Sequence, residues 1–379
     1  MKLKAGKFAP LAAVVAALLL GSASAYATQY SVTNLGSFGY GGSQANGINS
    51  SGEVVGWADN SAGNTNAFLY SNGTMENLGT LGGTDSYAYG VNSTGEVVGK
   101  AANSSGNDYA FLYNNGTMQN LGTLGGTFSQ ANAINSTGEV VGQSNNSAGN
   151  FNAFLYNNGT MQNLGTLGGI YSIARGINST SEVVGWSTNS AGYWNAFLYS
   201  NGAMQNLGTL GGGYSYAYGI NSTGEVVGGA TNSAGNNNAF LYTSAGGMQN
   251  LGTLGGASSF ANDINSIGEV VGYADNSAGV QEAFLYSNGV MQNLNSLLGS
   301  ASSLYTLTNA LAINGVGQIA VNGTVNATGQ STAFLLTPIT STSSSGVPAP
   351  ATMGLLGFSL MGLLFTRRRR KVSEPLTVV

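Results

Sequence analysis

Six glutamates recur at one position of a repeated phrase. Glu53, Glu96, Glu139, Glu182, Glu225 and Glu269 each open "EVVG", 43 or 44 residues apart. A hydrolytic carboxylate pair needs two acids in different environments, one protonated and one ionised. Symmetric glutamates supply no such difference. They are expected to be the first, solvent-facing residues after a hairpin turn. Among the acids outside this pattern, Asp85, Asp108, Asp263 and Glu282 are singular to their repeats. They are the candidates for a carbohydrate-active enzyme, but they are scattered over several repeats, whereas a catalytic centre concentrates its singular charges. The chain has no histidine and no cysteine. That removes His-dependent triads, the usual zinc sites and disulfides. Asp59–Gly63 and Asp275–Gly279 could form calcium loops, but the four related loops lack the Asp, so the carboxylate supply is poor. The expectation is therefore no catalytic residue, no metal and no cofactor.

Aromatic side chains carry the other recognisable chemistry. In the variable segments after "NSAG" or "NSSG" stand Tyr109, Phe151 and the pair Tyr193-Trp194; just after the "GTLGG" phrase stand Tyr171 and Tyr214. Aromatics among Asn and Ser suit sugar rings, which stack an apolar face and hydrogen-bond at their edges. These six are the candidate ligand residues. The competing role is packing between repeats, above all for Tyr171 and Tyr214, which adjoin a strand.

The repeats must position these residues. "NLGTLGG" starts at Asn77, Asn120, Asn163, Asn206 and Asn250, with divergent copies at Asn34 and Asn293. "AFLY" starts at Ala67, Ala110, Ala153, Ala196, Ala239 and Ala283, with "AFLL" at Ala333. Periods of this length mark solenoids, propellers or arrays. One unit reads as four short strands: "SYAYGVN", "EVVGKA", "YAFLYN" and "TMQNLG", with an Asn115-Gly116 hairpin turn before the last. That is a propeller blade. "GTLGG" is then the crossover to the next blade, where glycine lets the chain bend. No Lys follows it and no helix opens after it, so it is not a phosphate loop.

The ends of the array separate a ring from a rod. It begins with an outer-type strand, "YSVTNLG", and ends with a third-type strand, "STAFLLTP". Together they complete one blade. The expected fold is an all-β, seven-bladed β-propeller over residues 28–339, closed by pairing the strand near Val32 with the strand near Phe334. The alternative is a β-solenoid. The unit resembles the HAF-type extracellular repeat of bacterial exported proteins. The eponymous His is replaced by Asn66, Tyr109, Asn152, Asn195, Asn238, Glu282 and Thr332. The resemblance implies architecture and an extracellular location.

Both ends carry addresses. Lys2, Lys4 and Lys7, the apolar run Leu11–Leu20, and Ala25-Tyr26-Ala27 form a secretory signal over residues 1–27, cleaved before Thr28. A Ser/Thr-rich linker covers residues 340–346. Residues 347–379 follow: Val347, Pro348, Ala349 and Pro350, an apolar stretch, then Arg367, Arg368, Arg369 and Arg370. This segment resembles the PEP-CTERM sorting signal that exosortase-type enzymes process, with Ala349 where the family motif has Glu. Residues 349–366 are long enough for a short transmembrane helix, and the arginines would hold its end on the cytoplasmic side. Between the addresses, thirteen of the fourteen acids face only Lys100 and Arg175, a net charge of −11. Nucleic acid is a poor partner for that surface.

These features predict an exported, noncatalytic surface or matrix protein. It is expected to be tethered to the inner membrane before processing and to bind exopolysaccharide or a cell-surface protein through one propeller face. A carbohydrate-active propeller enzyme and a purely structural matrix protein are the alternatives.

Overall fold

The computed structural model describes residues 29–339; the signal segment with Ala25 and Ala27, the linker, the sorting motif and the expected short membrane helix lie outside these residues. Among the described residues, twenty-eight strands form seven four-stranded antiparallel sheets. In six of them the strands follow chain order from inner to outer edge. Blade 2 is typical: Gly82–Val91 is innermost, then Val97–Asn103, Asp108–Asn114 and the outer Thr117–Asn120. The Asn115-Gly116 turn has φ of 48° and 79°. Positive φ at both central residues is the type I′ geometry that matches the twist of the flanking strands.

The seventh sheet takes three strands from the C-terminal end of the array, Tyr305–Ile313, Ile319–Val325 and Gln330–Pro338. Its outer strand is Tyr30–Asn34. Val32 lies opposite Leu336, and Asn34 opposite Phe334. This clasp is the closure the sequence predicts, and a seven-bladed ring excludes the solenoid. One connection differs. Between blades 6 and 7 the crossover is replaced by two short 3-10 turns, Leu294–Leu297 and Gly299–Ser303, which bury Leu294, Leu297 and Leu298.

The core lies between blades. Each blade buries the Phe of its third strand completely: Phe68, Phe111, Phe154, Phe197, Phe240, Phe284 and Phe334. Around Phe111, for example, Val97 and Ala101 of blade 2 meet Val55, Ala67 and Leu78 of blade 1. Small residues let the sheets approach closely. Every inner strand carries a bulge; in blade 2 it falls between Ala88 and Gly90. There the Gly99 backbone sits against the Tyr87 carbonyl, leaving no room for a Cβ.

The recurrent glutamates are half-buried rather than simply solvent-facing. Asn49, Asn92, Asn135, Asn178, Asn221, Asn265 and Asn314 occupy the first turn of each blade and are 4–5% exposed. Each donates from Nδ2 to the Glu four residues on at 2.6–2.8 Å, or to Gln318 at 2.9 Å in blade 7. Each also donates to the backbone carbonyl of its counterpart in the next blade, at 2.9–3.4 Å. Asn314 completes the circuit by donating to the Asn49 carbonyl at 3.0 Å. The carboxylate therefore orients an amide that links adjacent blades. A buried amide left unpaired would be costly, so the ring is fully specified.

Candidate binding face and central channel

The crossovers and the loops between second and third strands open on one face. Leu81 of the crossover bridges Asn103 at the end of the second strand. The Asn103 side chain then shapes the loop by accepting from the backbone N–H groups of Ser105 and Asn107 at 2.9 and 3.0 Å. Such local capping holds the loop without regular pairing.

Four of the six candidate aromatics come together on blades 4 and 5. Tyr171 stacks on Trp194, with centroids 6.1 Å apart and planes 24° apart. Tyr193 meets Tyr214 edge-on across the blade boundary at 5.7 Å. Tyr193 and Tyr214 are 46% and 41% exposed, so this pair both packs and remains open to solvent. Phe151 is half-buried and packs edge-on against Phe128 of its own blade at 5.4 Å. Tyr109 is half-buried on blade 2, apart from these pairs.

Each of the four singular acids has a partner of its own. Asp108 binds Lys100 Nζ at 2.8 Å. Asp85 accepts from the Thr65 N–H at 3.0 Å and the Thr84 hydroxyl at 2.8 Å. Glu282 accepts from Asn293 Nδ2 at 2.7 Å. Asp263 lies in the inner strand of blade 6 and accepts from the Ile264 and Ile313 N–H groups, each at 2.9 Å. Burial pushes its carboxyl up to about 6, against the two N–H groups, which pull it down. Of the calcium candidates, Asp59 accepts from the Gly42 N–H and the Thr65 hydroxyl. Among the described residues no cluster of three or more acids suits a metal ion.

A second feature is the axial channel, a cavity of about 220 Å³ lined by inner-strand bulges. Asn46, Tyr89, Asn132, Arg175, Tyr218, Asn262 and Leu311 occupy equivalent bulge positions, one per blade. Three are tied down: Asn46, Asn132 and Asn262 donate to the carbonyls of Ala88, Ala174 and Ala310 at 2.7–2.8 Å. Arg175 is not. Its guanidinium lies 4.8 Å from the Trp186 ring centre and 5.9 Å from that of Tyr218. Trp186 in turn packs against Tyr216 and Tyr218. Sequence reading picks out Arg175 only as a rare base. The signal for the channel is the variable residue after a constant Ala in each inner strand, as in "ANG", "AYG" and "ARG".

Comparison with known proteins adds two facts. Residues 346–370 match the PEP-CTERM protein-sorting motif. The chain therefore carries the sorting signal of an exported surface protein, one processed by an exosortase. The fold has solved counterparts. The β-propeller domain of the Trilobed protease from Pyrococcus furiosus, described as having an open velcro topology, is 9% identical. That match covers 77% of this chain and 95% of the domain, with a TM-score of 0.52. TolB from Acinetobacter baumannii is 11% identical with a TM-score of 0.46; the match covers 77% of this chain but only 64% of TolB. Aleuria aurantia lectin is 10% identical over 86% of this chain and 99% of the lectin, with a TM-score of 0.34. The likeness to the protease domain is one of fold alone. No curated protein matches the chain in sequence.

Proposed function

We propose that this is a noncatalytic exported propeller of the HAF-repeat type that binds polysaccharide, or another component of the cell surface, through the crossover face. The observation that carries the reading is the aromatic group on blades 4 and 5. Tyr193 and Tyr214 stand exposed on a rigid scaffold, with Tyr171 and Trp194 stacked on the same blade edge. An exposed aromatic plane gains by covering the C–H face of a pyranose, while neighbouring amides and hydroxyls pair with its edge. A constant framework with loop variation on one face is how binding scaffolds are built. A hydrolase is disfavoured because each of these four acids is already engaged by an amine, amide or backbone N–H donor. In this reading the N-terminal signal directs secretion. The C-terminal segment tethers the protein to the inner membrane until an exosortase-type enzyme releases it.

Co-sedimentation of the purified protein with the producing cell's exopolysaccharide tests the proposal. Saturable binding by the natural protein is expected, with a loss of about tenfold or more in a Tyr193→Ala/Tyr214→Ala variant. An unbound natural protein, or an unaffected variant, overturns it.

A further inference from the structure

We propose that the axial channel is a binding site for a small carboxylate, held by the Arg175 guanidinium. The site is separate from the aromatic face. The bulge carrying Arg175 lies near the Ile177 end of its inner strand, whereas the crossover enters at Gly168.

The guanidinium is unusual in being both shielded and unused. Its Nε is buried without a hydrogen-bond partner, the one such side-chain nitrogen or oxygen among the described residues. Among those residues Arg175 makes no salt bridge, the one ion pair being Lys100–Asp108. The guanidinium carbon lies over the Trp186 and Tyr218 rings, which stabilise the cation through their quadrupoles but do not take the place of a conventional acceptor for its N–H donors. Burial pushes its pKa below the ordinary value, with Tyr218 and Tyr89 pulling the other way. A desolvated guanidinium whose donors lack partners is stabilised most by a planar oxyanion that accepts two parallel hydrogen bonds.

The surroundings favour a singly charged carboxylate over a larger polyanion. One guanidinium supplies a single positive charge. The nearest acid of the lining, Asp263, sits two blades away with both oxygens occupied by backbone N–H groups. It repels added negative charge without competing for Arg175. Tyr89 and Tyr218 also line the cavity and bring hydroxyl groups that can hydrogen-bond the remainder of the molecule, while Leu311 offers an apolar wall. The volume of about 220 Å³ admits a sugar-sized acid. The alternative is that Arg175 only fills space between blades 4 and 5.

Trp186 is a built-in reporter, lying against Arg175. The experiment titrates the purified protein with D-glucuronate, D-glucose and inorganic sulfate, reading tryptophan emission and thermal midpoint. The expected result is a saturable emission change and a raised midpoint with glucuronate, neither with glucose, and a weaker response with sulfate. Arg175→Gln should remove the response. Arg175→Lys, which keeps the charge but not the fork, should weaken it by about tenfold or more. No saturable response to glucuronate overturns the proposal, as does a response that survives in Arg175→Gln or one that glucose matches. If Arg175→Gln does not fold, Arg175→Lys decides: an undiminished response would show that the fork is not the ligand-binding group.

Discussion

At the scale of the residue, position within the blade decides what a side chain does. Asn178 makes the point. It joins Glu182, the Asn221 carbonyl, and the N–H groups of Thr180 and Glu182. Asn178→Ala leaves several of these without partners and should cost about 2–4 kcal/mol in urea unfolding, since buried unsatisfied groups dominate such losses. A cost within experimental error would mean that water replaces the amide. Gly142→Ala should be at least as costly, because the new methyl would collide with the Gln130 carbonyl. Asp263 predicts a pH dependence. Its carboxyl titrates near 6 when folded and near 3.8 when unfolded, so the protonated form is favoured by folding. Its contribution to stability is fully present below the unfolded value and is lost as pH rises through about 6. Thermal midpoints between about pH 4 and about pH 7 should therefore change less in Asp263→Asn than in the natural protein. An identical slope contradicts the assignment.

The sequence makes the glutamate pattern plain but not its purpose. The amide that each glutamate orients reaches a carbonyl 43 to 49 residues away in the array, a pairing no local pattern encodes. The aromatic candidates were legible because Tyr193 and Trp194 stand in the variable segment after a constant "NSAG"; their meeting with Tyr171 and Tyr214 was not. The channel was hidden for a different reason. The bulge at Ala174–Gly176 shifts the inner-strand register by one residue, so simple alternation misplaces Arg175.

At the scale of the element, the clasp carries the closure. Tyr30–Asn34 is only five residues long, yet it fills the outer edge of blade 7, and Tyr30 and Leu35 are buried there. The Ser43 hydroxyl also joins the seam, accepting from the Ala333 N–H at 3.1 Å. Without this strand the edge formed by Gln330–Pro338 is left open, a template for pairing with another chain. Deleting residues 29–36 should lower the thermal midpoint markedly and produce aggregation in light scattering. A monomeric variant with an unchanged midpoint would show that the ring closes without its clasp. The clasp could be read from the sequence because the two terminal fragments complement one another. The 3-10 turns before blade 7 could not, because "NLNSLLG" reads as a degraded crossover until its leucines are seen to be buried.

At the scale of the whole molecule, few charges and no disulfides leave an exported protein dependent on interblade packing and on rings of hydrogen bonds that close on themselves. Export and processing rest on the matched segment at residues 346–370. Replacing Arg367, Arg368, Arg369 and Arg370 with Ser should make the unprocessed form accumulate, seen as a heavier band on immunoblots of cell fractions. Unchanged processing would separate the arginines from sorting. The central claim concerns which face meets the outside world, and the two faces can be compared directly. Ile267 and Val316, 70% and 66% exposed in the first turns of blades 6 and 7, mark the face opposite Tyr193 and Tyr214. The decisive measurement is the binding isotherm on purified exopolysaccharide of the natural protein, Tyr193→Ala/Tyr214→Ala and Ile267→Ser/Val316→Ser. Our account predicts affinity lost by about tenfold or more in the first variant and retained in the second. Equal affinity in all three, or loss only in the second, would contradict it.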